Sequence, residues 1–409
     1  MSFSPSAHPS DTSSATLLRD LRTISLLLAG TLVIMAVPTI SPALAGLEAR
    51  FGHEPHAALM TRLLVPAPSL VVVLSAPVIG YLADRTGKSR MLLLGTLLIA
   101  IAGTAGLYLP SLSLILASRF VLGIGVAMIM TSQIALIGDC FEGEARAKMM
   151  GWQISARNFG GMIFVSLGGV FAGFDPQLPF AIFTIALLYA PVIWIAFRMA
   201  DEQGEAAMPQ AGMMASLNEG WFLPALALSG FMMLTVGVFF QMPTQLPFFV
   251  VSRGYDSASV TGGAMAALTL AGALAALATA SLKRSLGVAG LFALGYLAMG
   301  AGFGTLSVDA GLPFLLLGAV LIGVGYAILT PAFTGLLLQL VPADRRGAAS
   351  GMLTTGGFIG QFVSPLVATP LIAAFGYGTV FLTSGGILLI LGLGALLVGR
   401  VAFAVKGST

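Results

Sequence analysis

The chain has 409 residues, 57% of them hydrophobic and only 9% charged, with a mean hydropathy of +0.98. A soluble domain carries about 25% charge, so a water-soluble fold is excluded and a polytopic membrane protein is indicated. The net charge of +3 reflects basic residues gathered in loops, and it is no sign of a nucleic-acid partner.

Residues 1–16 are rich in Ser, Pro and Ala and read as a disordered cytoplasmic tail. They lack the apolar core and small-residue cleavage site of a secretory signal. Twelve apolar segments follow, near 21–47, 57–83, 91–109, 112–138, 147–173 and 178–200, then 217–250, 257–282, 288–308, 311–341, 347–375 and 378–403. A helix needs about 20 such residues to cross a bilayer core. The longest interior loop, 201–216, holds Asp201, Glu202, Gly204, Glu205 and Pro209 and reads as a flexible cytoplasmic linker. It divides an N-terminal six-helix bundle, 17–200, from a C-terminal one, 217–409. The expected class is therefore an all-α membrane protein of two six-helix halves.

Most basic residues, among them Arg22, Arg85, Lys88, Arg90, Arg146, Lys148, Arg198, Lys283 and Arg346, fall on one side of this arrangement. Only Arg50, Arg62 and Arg253 fall on the other, so the first side is cytoplasmic and both termini lie there. A multi-pass protein of the cytoplasmic (inner) membrane, most simply a monomer, is expected. The 51 glycines suit helices that approach closely in lipid. A single cysteine, Cys140, excludes an internal disulfide or a thiolate metal site.

The halves repeat. Gly123-x-Gly125 returns as Gly323-x-Gly325, Arg146 as Arg346, Gly151 as Gly351, Gly160 as Gly360, and Leu82 and Gly87 as Leu282 and Gly287, all at an offset of 200 residues. The six-helix halves thus form a parallel repeat, duplicated in the same orientation.

Between the second and third segments stands Gly80-x-x-x-Asp84-Arg85-x-Gly87-Lys88-x-Arg90. This hairpin resembles the signature between helices two and three of the major facilitator superfamily, with Ser89 where a second basic residue is common. The resemblance implies a secondary transporter with twelve helices in two bundles, working by alternating access. It also implies that Asp84 caps the eleventh helix and, with Arg85, closes an inward gate. A carboxylate at a helix N-terminus is favourable in any case. Asp139, at the end of the fourth segment, is expected to pair with Arg85 or Arg90.

No carboxylate falls in the middle of a crossing on these boundaries, but two arginines do. A charge at that depth needs a cavity, a partner or a substrate. Arg119, followed by Gly123 and Gly125, resembles the family's fourth-helix motif, associated with proton coupling; it could equally bond carbonyls of neighbouring helices. Arg157 stands in Ala156-Arg157-Asn158-Phe159-Gly160-Gly161, which resembles the fifth-helix motif of the antiporter and efflux branch with its leading Gly-Pro replaced. A guanidinium is suited to carboxylate or phosphate, so an anionic solute is a further expectation. In the seventh segment Gln241, Thr244 and Gln245 share a helix face, either toward a cavity or bonded across helices. Pro243 and Pro247 there should kink the helix. Gln361 of the eleventh segment is a weaker candidate for the same wall.

Gly87-Lys88-Ser89 mimics the end of a phosphate loop without its earlier glycine, and no nucleophile–base or metal constellation is visible. The expected activity is thus not enzymatic. It is movement of a small organic solute by proton-linked export, with no cofactor beyond the coupling H+. Uptake or exchange of an organic anion is the alternative, and a non-transporting sensor on the same fold is a third reading.

Overall fold

The computed structural model describes residues 20–201, 220–308, 310–342 and 345–407. The expected tail, 1–16, and the expected linker beyond Asp201 lie outside the described residues. Among the described residues every regular element is helical. Of the described helices, ten are long and apolar enough to cross a membrane, and the bent pair Ala57–Leu63 and Ala67–Ala76 makes an eleventh. The run Arg346–Gly407 breaks at Gly376, whose φ of 78° is not helical, and this gives the twelfth.

The crossings are α1 (Leu21–Phe51), α2 (Ala57–Leu63 with Ala67–Thr86), α3 (Lys88–Leu107), α4 (Leu112–Cys140), α5 (Gly143–Ala172), α6 (Leu178–Arg198) and α7 (Phe222–Ser252). The run Ser257–Ser307 is parted at Gly287 into α8 and α9. Helix α10 is Leu312–Leu340, and Arg346–Gly407 forms α11 and α12 on either side of Gly376. The end that carries the turns at 52–56 and 253–256, which the charge pattern assigns to the outside, is called the outer end below.

Two crossings depart from a plain rod. Pro38 and Pro42 turn part of α1 into a 3-10 segment, Pro38–Ala43, before helix resumes at Leu44–Phe51. The first crossing therefore runs past the 47 expected from hydropathy. In α7 the helix breaks at Phe240, between Phe222–Phe239 and Gln241–Ser252. Pro243 cannot donate to the carbonyl four residues back, so the expected kink falls just before it.

Each half has its own buried core. Leu26, Leu32, Ile99, Leu122 and Phe183 belong to the first, and Met242, Leu268, Met299, Ile322 and Phe333 to the second. Large apolar side chains such as Leu188, Leu277 and Ile390 are 70–78% exposed, the surface expected of helices that face lipid.

The 200-residue repeat is visible as geometry. Gly87 and Gly287 both take positive φ, 98° and 68°, at the same inner turn of each half. A Cβ on Gly125 would stand 2.9 Å from the carbonyl of Gly95, and one on Gly325 would stand 2.5 Å from that of Gly295. The same pair of helices is thus pressed together by the same pair of glycines in each half.

Candidate functional site

Arg157 lies at the middle of the 30-residue helix α5. With Gln133 of α4 and Gln153 of α5 it converges on Gly30 of α1; a Cβ there would meet Gln133 Nε2 at 3.0 Å and the Cγ atoms of Arg157 and Gln153 at 3.5 Å. Gln133 is occupied by donating to the carbonyl of Leu26. Arg157 is half-buried, and among the described residues its guanidinium has no hydrogen bond and no carboxylate partner. It interacts electrostatically with Tyr326 of α10, in the other half. Tyr326 in turn stacks on Phe239 of α7, with ring centroids 3.8 Å apart and planes at 12°. Phe239 and Tyr326 both pack against the core of the N-terminal half, which brings this aromatic pair to the seam within electrostatic range of Arg157. Asn158 is half-buried beside it, with no side-chain hydrogen bond among the described residues.

Arg119, expected either to couple or to bond carbonyls of neighbouring helices, is placed differently. Its side chain is fully buried inside the N-terminal half. Nη2 donates to the carbonyls of Ala102 (3.2 Å) and Gly103 (2.8 Å) on α3. The guanidinium carbon sits 4.9 Å from the ring centres of both Phe180 and Phe183 on α6. This is the carbonyl-bonding geometry, in which two carbonyls on Nη2 and two aromatic faces stand in for water, while Nε and Nη1 are buried without a hydrogen-bond partner among the described residues.

The polar face of α7 is also spent on packing. Gln241 exchanges hydrogen bonds with Ser384 of α12 (2.9 and 3.3 Å), and Thr244 donates to the carbonyl of Phe240 in its own helix (2.6 Å). Gln245 donates to Thr369 of α11 (3.0 Å) and accepts from Arg62 Nε (3.2 Å). All three are buried; Gln241 and Gln245 are bonded across helices and Thr244 within its own. Gln361 is buried on α11, three residues on from Phe358, which packs against the N-terminal core.

Sequence reasoning missed a cluster at the outer end. Arg62, counted only as an outer-side basic residue, is 8% exposed. It bonds Glu48 Oε2 at 2.5 Å, the carbonyl of Ala58, and Gln245, and it lies 3.7 Å from the ring centre of Phe248. The Tyr377 hydroxyl of α12 also interacts with it. Ser41 of α1 donates to the carbonyl of Pro243 (2.5 Å) close by. Above the cluster is a vestibule of about 740 Å³, lined by Glu48, Glu54, His56, Phe248 and Tyr377 among others. The available signal was the position of Arg62 inside the apolar run that begins at Ala57.

At the inner end, Gly80 faces Thr131 of α4, the Cβ contact being 3.8 Å, and Gly87 makes the turn. Asp139 pairs with Lys88 at 2.6 Å, not with Arg85 or Arg90 as expected. Helix α3 begins at Lys88 directly after the turn, which carries that ammonium to the end of α4. Arg85 instead stacks on Tyr81, 4.5 Å away, and Arg90 is exposed. The side chain of Asp84 lies outside the described residues. Among the described residues no group of three potential metal ligands occurs.

Sequence and structure comparisons agree with this architecture. The family model described as Major Facilitator Superfamily matches residues 26–302 and 257–408. The quinolone resistance protein NorA of Staphylococcus aureus (strain MRSA252) is 23% identical over 318 residues, 75% of this chain and 79% of that protein. Multidrug resistance protein 2 of Bacillus subtilis (strain 168) is 30% identical over 129 residues, 32% of each chain. Among solved structures, a D-xylose-proton symporter superposes with a TM-score of 0.73 at 17% identity, over 94% of this chain and 97% of that one. A POT family transporter bound to a thioalcohol-conjugated peptide gives 0.74 at 13% identity, over 92% and 95%.

Proposed function

Because the chain belongs to the Major Facilitator Superfamily, a family of transporters, we propose that it carries out proton-linked export of an amphipathic or anionic small solute. The halves would alternate access to a site between them. The observation that carries the anion is Arg157, a mid-membrane guanidinium without a hydrogen-bond partner among the described residues, set opposite Tyr326. A charge held at that depth costs about 3 kcal/mol or more unless something answers it. A carboxylate or phosphate on the solute would do so in a fork geometry, and the Phe239–Tyr326 stack offers an apolar wall to the rest of the molecule. The resistance proteins among its relatives support the outward direction.

Uptake or exchange of an organic anion is the second reading, favoured by the same arginine and by the lack of a mid-depth carboxylate to carry the proton. Its location in a cytoplasmic membrane with both termini inside, and its action as a monomer, belong to the same proposal. Flux of organic anions and of lipophilic cations from proteoliposomes, with and without an imposed pH gradient, tests it. Anion movement driven by the gradient supports export. Gradient-independent anion exchange supports the second reading, and no flux of either class favours a sensor.

A further inference from the structure

We propose that Arg62 is the latch of the outer gate, and that Glu48 keeps it set while the gate works. The inference rests on the transport reading for its purpose but not for its measurement. Arg62 sits near the outer end of α2, yet its side chain is 10% exposed where a loop arginine would be solvated. Its partners come from both halves. Glu48 ends α1 and the Ala58 carbonyl lies in α2, both in the N-terminal half. Gln245 and Phe248 lie on α7, and Tyr377 begins α12, all in the C-terminal half. Gln245 is itself held by Thr369 of α11. One guanidinium thus ties two helices of the first half to two of the second, and through Gln245 to a third.

The partners divide in a way that suits a moving part. The charged one, Glu48, is on the same side of the seam as Arg62 and travels with it. The partners across the seam are an amide oxygen, an aromatic face and a phenol, all uncharged. Parting the halves therefore breaks neutral contacts, while the ion pair, whose disruption would strand a poorly solvated charge, stays intact. The Thr61 hydroxyl lies 3.2 Å from the same Glu48 Oε2, though its shorter bond is to the Ala57 carbonyl (2.7 Å). The second contact across the seam, Ser41 to the Pro243 carbonyl, joins the two proline-broken crossings, where backbone groups are free to make it. The vestibule outside gives the released side chain water to enter. Arg62 is on this view a positioning residue, which touches the gate and not the solute.

The test uses full-length protein in proteoliposomes, with Cys140→Ser to remove the native thiol and Ser41→Cys as reporter at the seam. The readout is the rate of labelling by a membrane-impermeant maleimide from the outer face. Arg62→Met should raise that rate tenfold or more, because every contact across the seam at this position is lost. Arg62→Lys, which keeps the charge but cannot reach Glu48 and Gln245 together, should raise it severalfold. Glu48→Gln should do the same by loosening the anchor. Gln245→Leu leaves the ion pair whole and serves if an Arg62 variant fails to fold; it too should label faster. Rates within twofold of the parent for Gln245→Leu and for the folded Arg62 variants overturn the proposal. In flux assays, Arg62→Lys should change turnover with KM held within twofold; a rise in KM alone would also overturn it. Faster labelling in a protein that moves no solute would leave the latch standing and defeat the transport reading instead.

Discussion

Gly169 of α5 and Gly262 of α8 touch backbone to backbone across the two halves. A Cβ built on either would stand 2.9 Å from the Cα of the other. No side chain fits between them, so this is a place where the halves bear directly on one another. Gly262→Ala should slow transport a few-fold and Gly262→Val more than tenfold, with membrane insertion unchanged. Solute flux at matched protein levels measures it, and wild-type flux in the valine variant would show that the halves do not need to meet here.

Arg157→Gln removes the charge while keeping a polar side chain of similar reach. A hydrogen bond to a charged group is worth about 1.5–3 kcal/mol, roughly ten- to a hundredfold in affinity. Transport of an organic anion should fall by that factor, and transport of a neutral analogue by less than twofold. Equal loss for both solutes would assign Arg157 to packing.

Arg119 should behave as a structural residue. Arg119→Ala leaves the Ala102 and Gly103 carbonyls and the two phenyl faces without their cation, and should lower the melting temperature in detergent by several degrees. Arg119→Met fills the volume without a buried charge, an exchange that is often neutral or better, so it should melt closer to wild type. If both variants melt alike but only transport is lost, the residue has a coupling role beyond packing.

Asp256 caps α8 by accepting from the backbone N–H of Ser259 at 2.9 Å and from its hydroxyl. These bonds hold its carboxyl below the usual carboxylate range. A depressed folded-state pKa means the stabilisation is present above the unfolded value of about 3.9 and is lost as pH falls through the folded one. Asp256→Ala should cost about 1 kcal/mol at neutral pH. The gap between the two melting curves should narrow as the medium is taken below pH 4. A gap that stays constant would mean the charged form adds nothing.

Lys88 and Asp139 are both partly exposed, and such a pair is worth about 0.2–1 kcal/mol. Asp139→Asn should therefore reduce flux less than threefold, and exchanging the two charges should restore it. Asp84→Asn, by contrast, is expected to cut transport strongly while insertion is kept. Wild-type rates in that variant would remove Asp84 from the gate.

Much of the architecture is legible in the amino-acid sequence. The long apolar runs, the basic loops and the 200-residue offset follow from hydration cost and glycine placement, which are local or periodic properties. What depends on helix rotation was not legible. Depth put both Arg119 and Arg157 inside the membrane, but it cannot tell which face each presents. That is decided by Phe180, Phe183 and two α3 carbonyls for one residue, and by Tyr326 for the other. Arg62 was counted only as an outer-side charge, and its partner was hidden because hydropathy ends the first crossing at Leu47, whereas helix continues to Phe51 and carries Glu48 within reach. The partner of Asp139 turned on the path of the chain at Gly87, a matter of backbone angle that charge spacing does not contain.

The links at Gly87, Gly287 and Gly376 are each a single residue of positive φ between two long helices. Such a joint has no slack. Neither helix of α2–α3, α8–α9 or α11–α12 can slide far along the membrane normal without dragging its mate, so a stroke has to be delivered as the tilting of whole hairpins. Splicing a few extra glycines in at 287 would decouple α8 from α9 like a clutch, leaving the protein assembled but its two faces out of step.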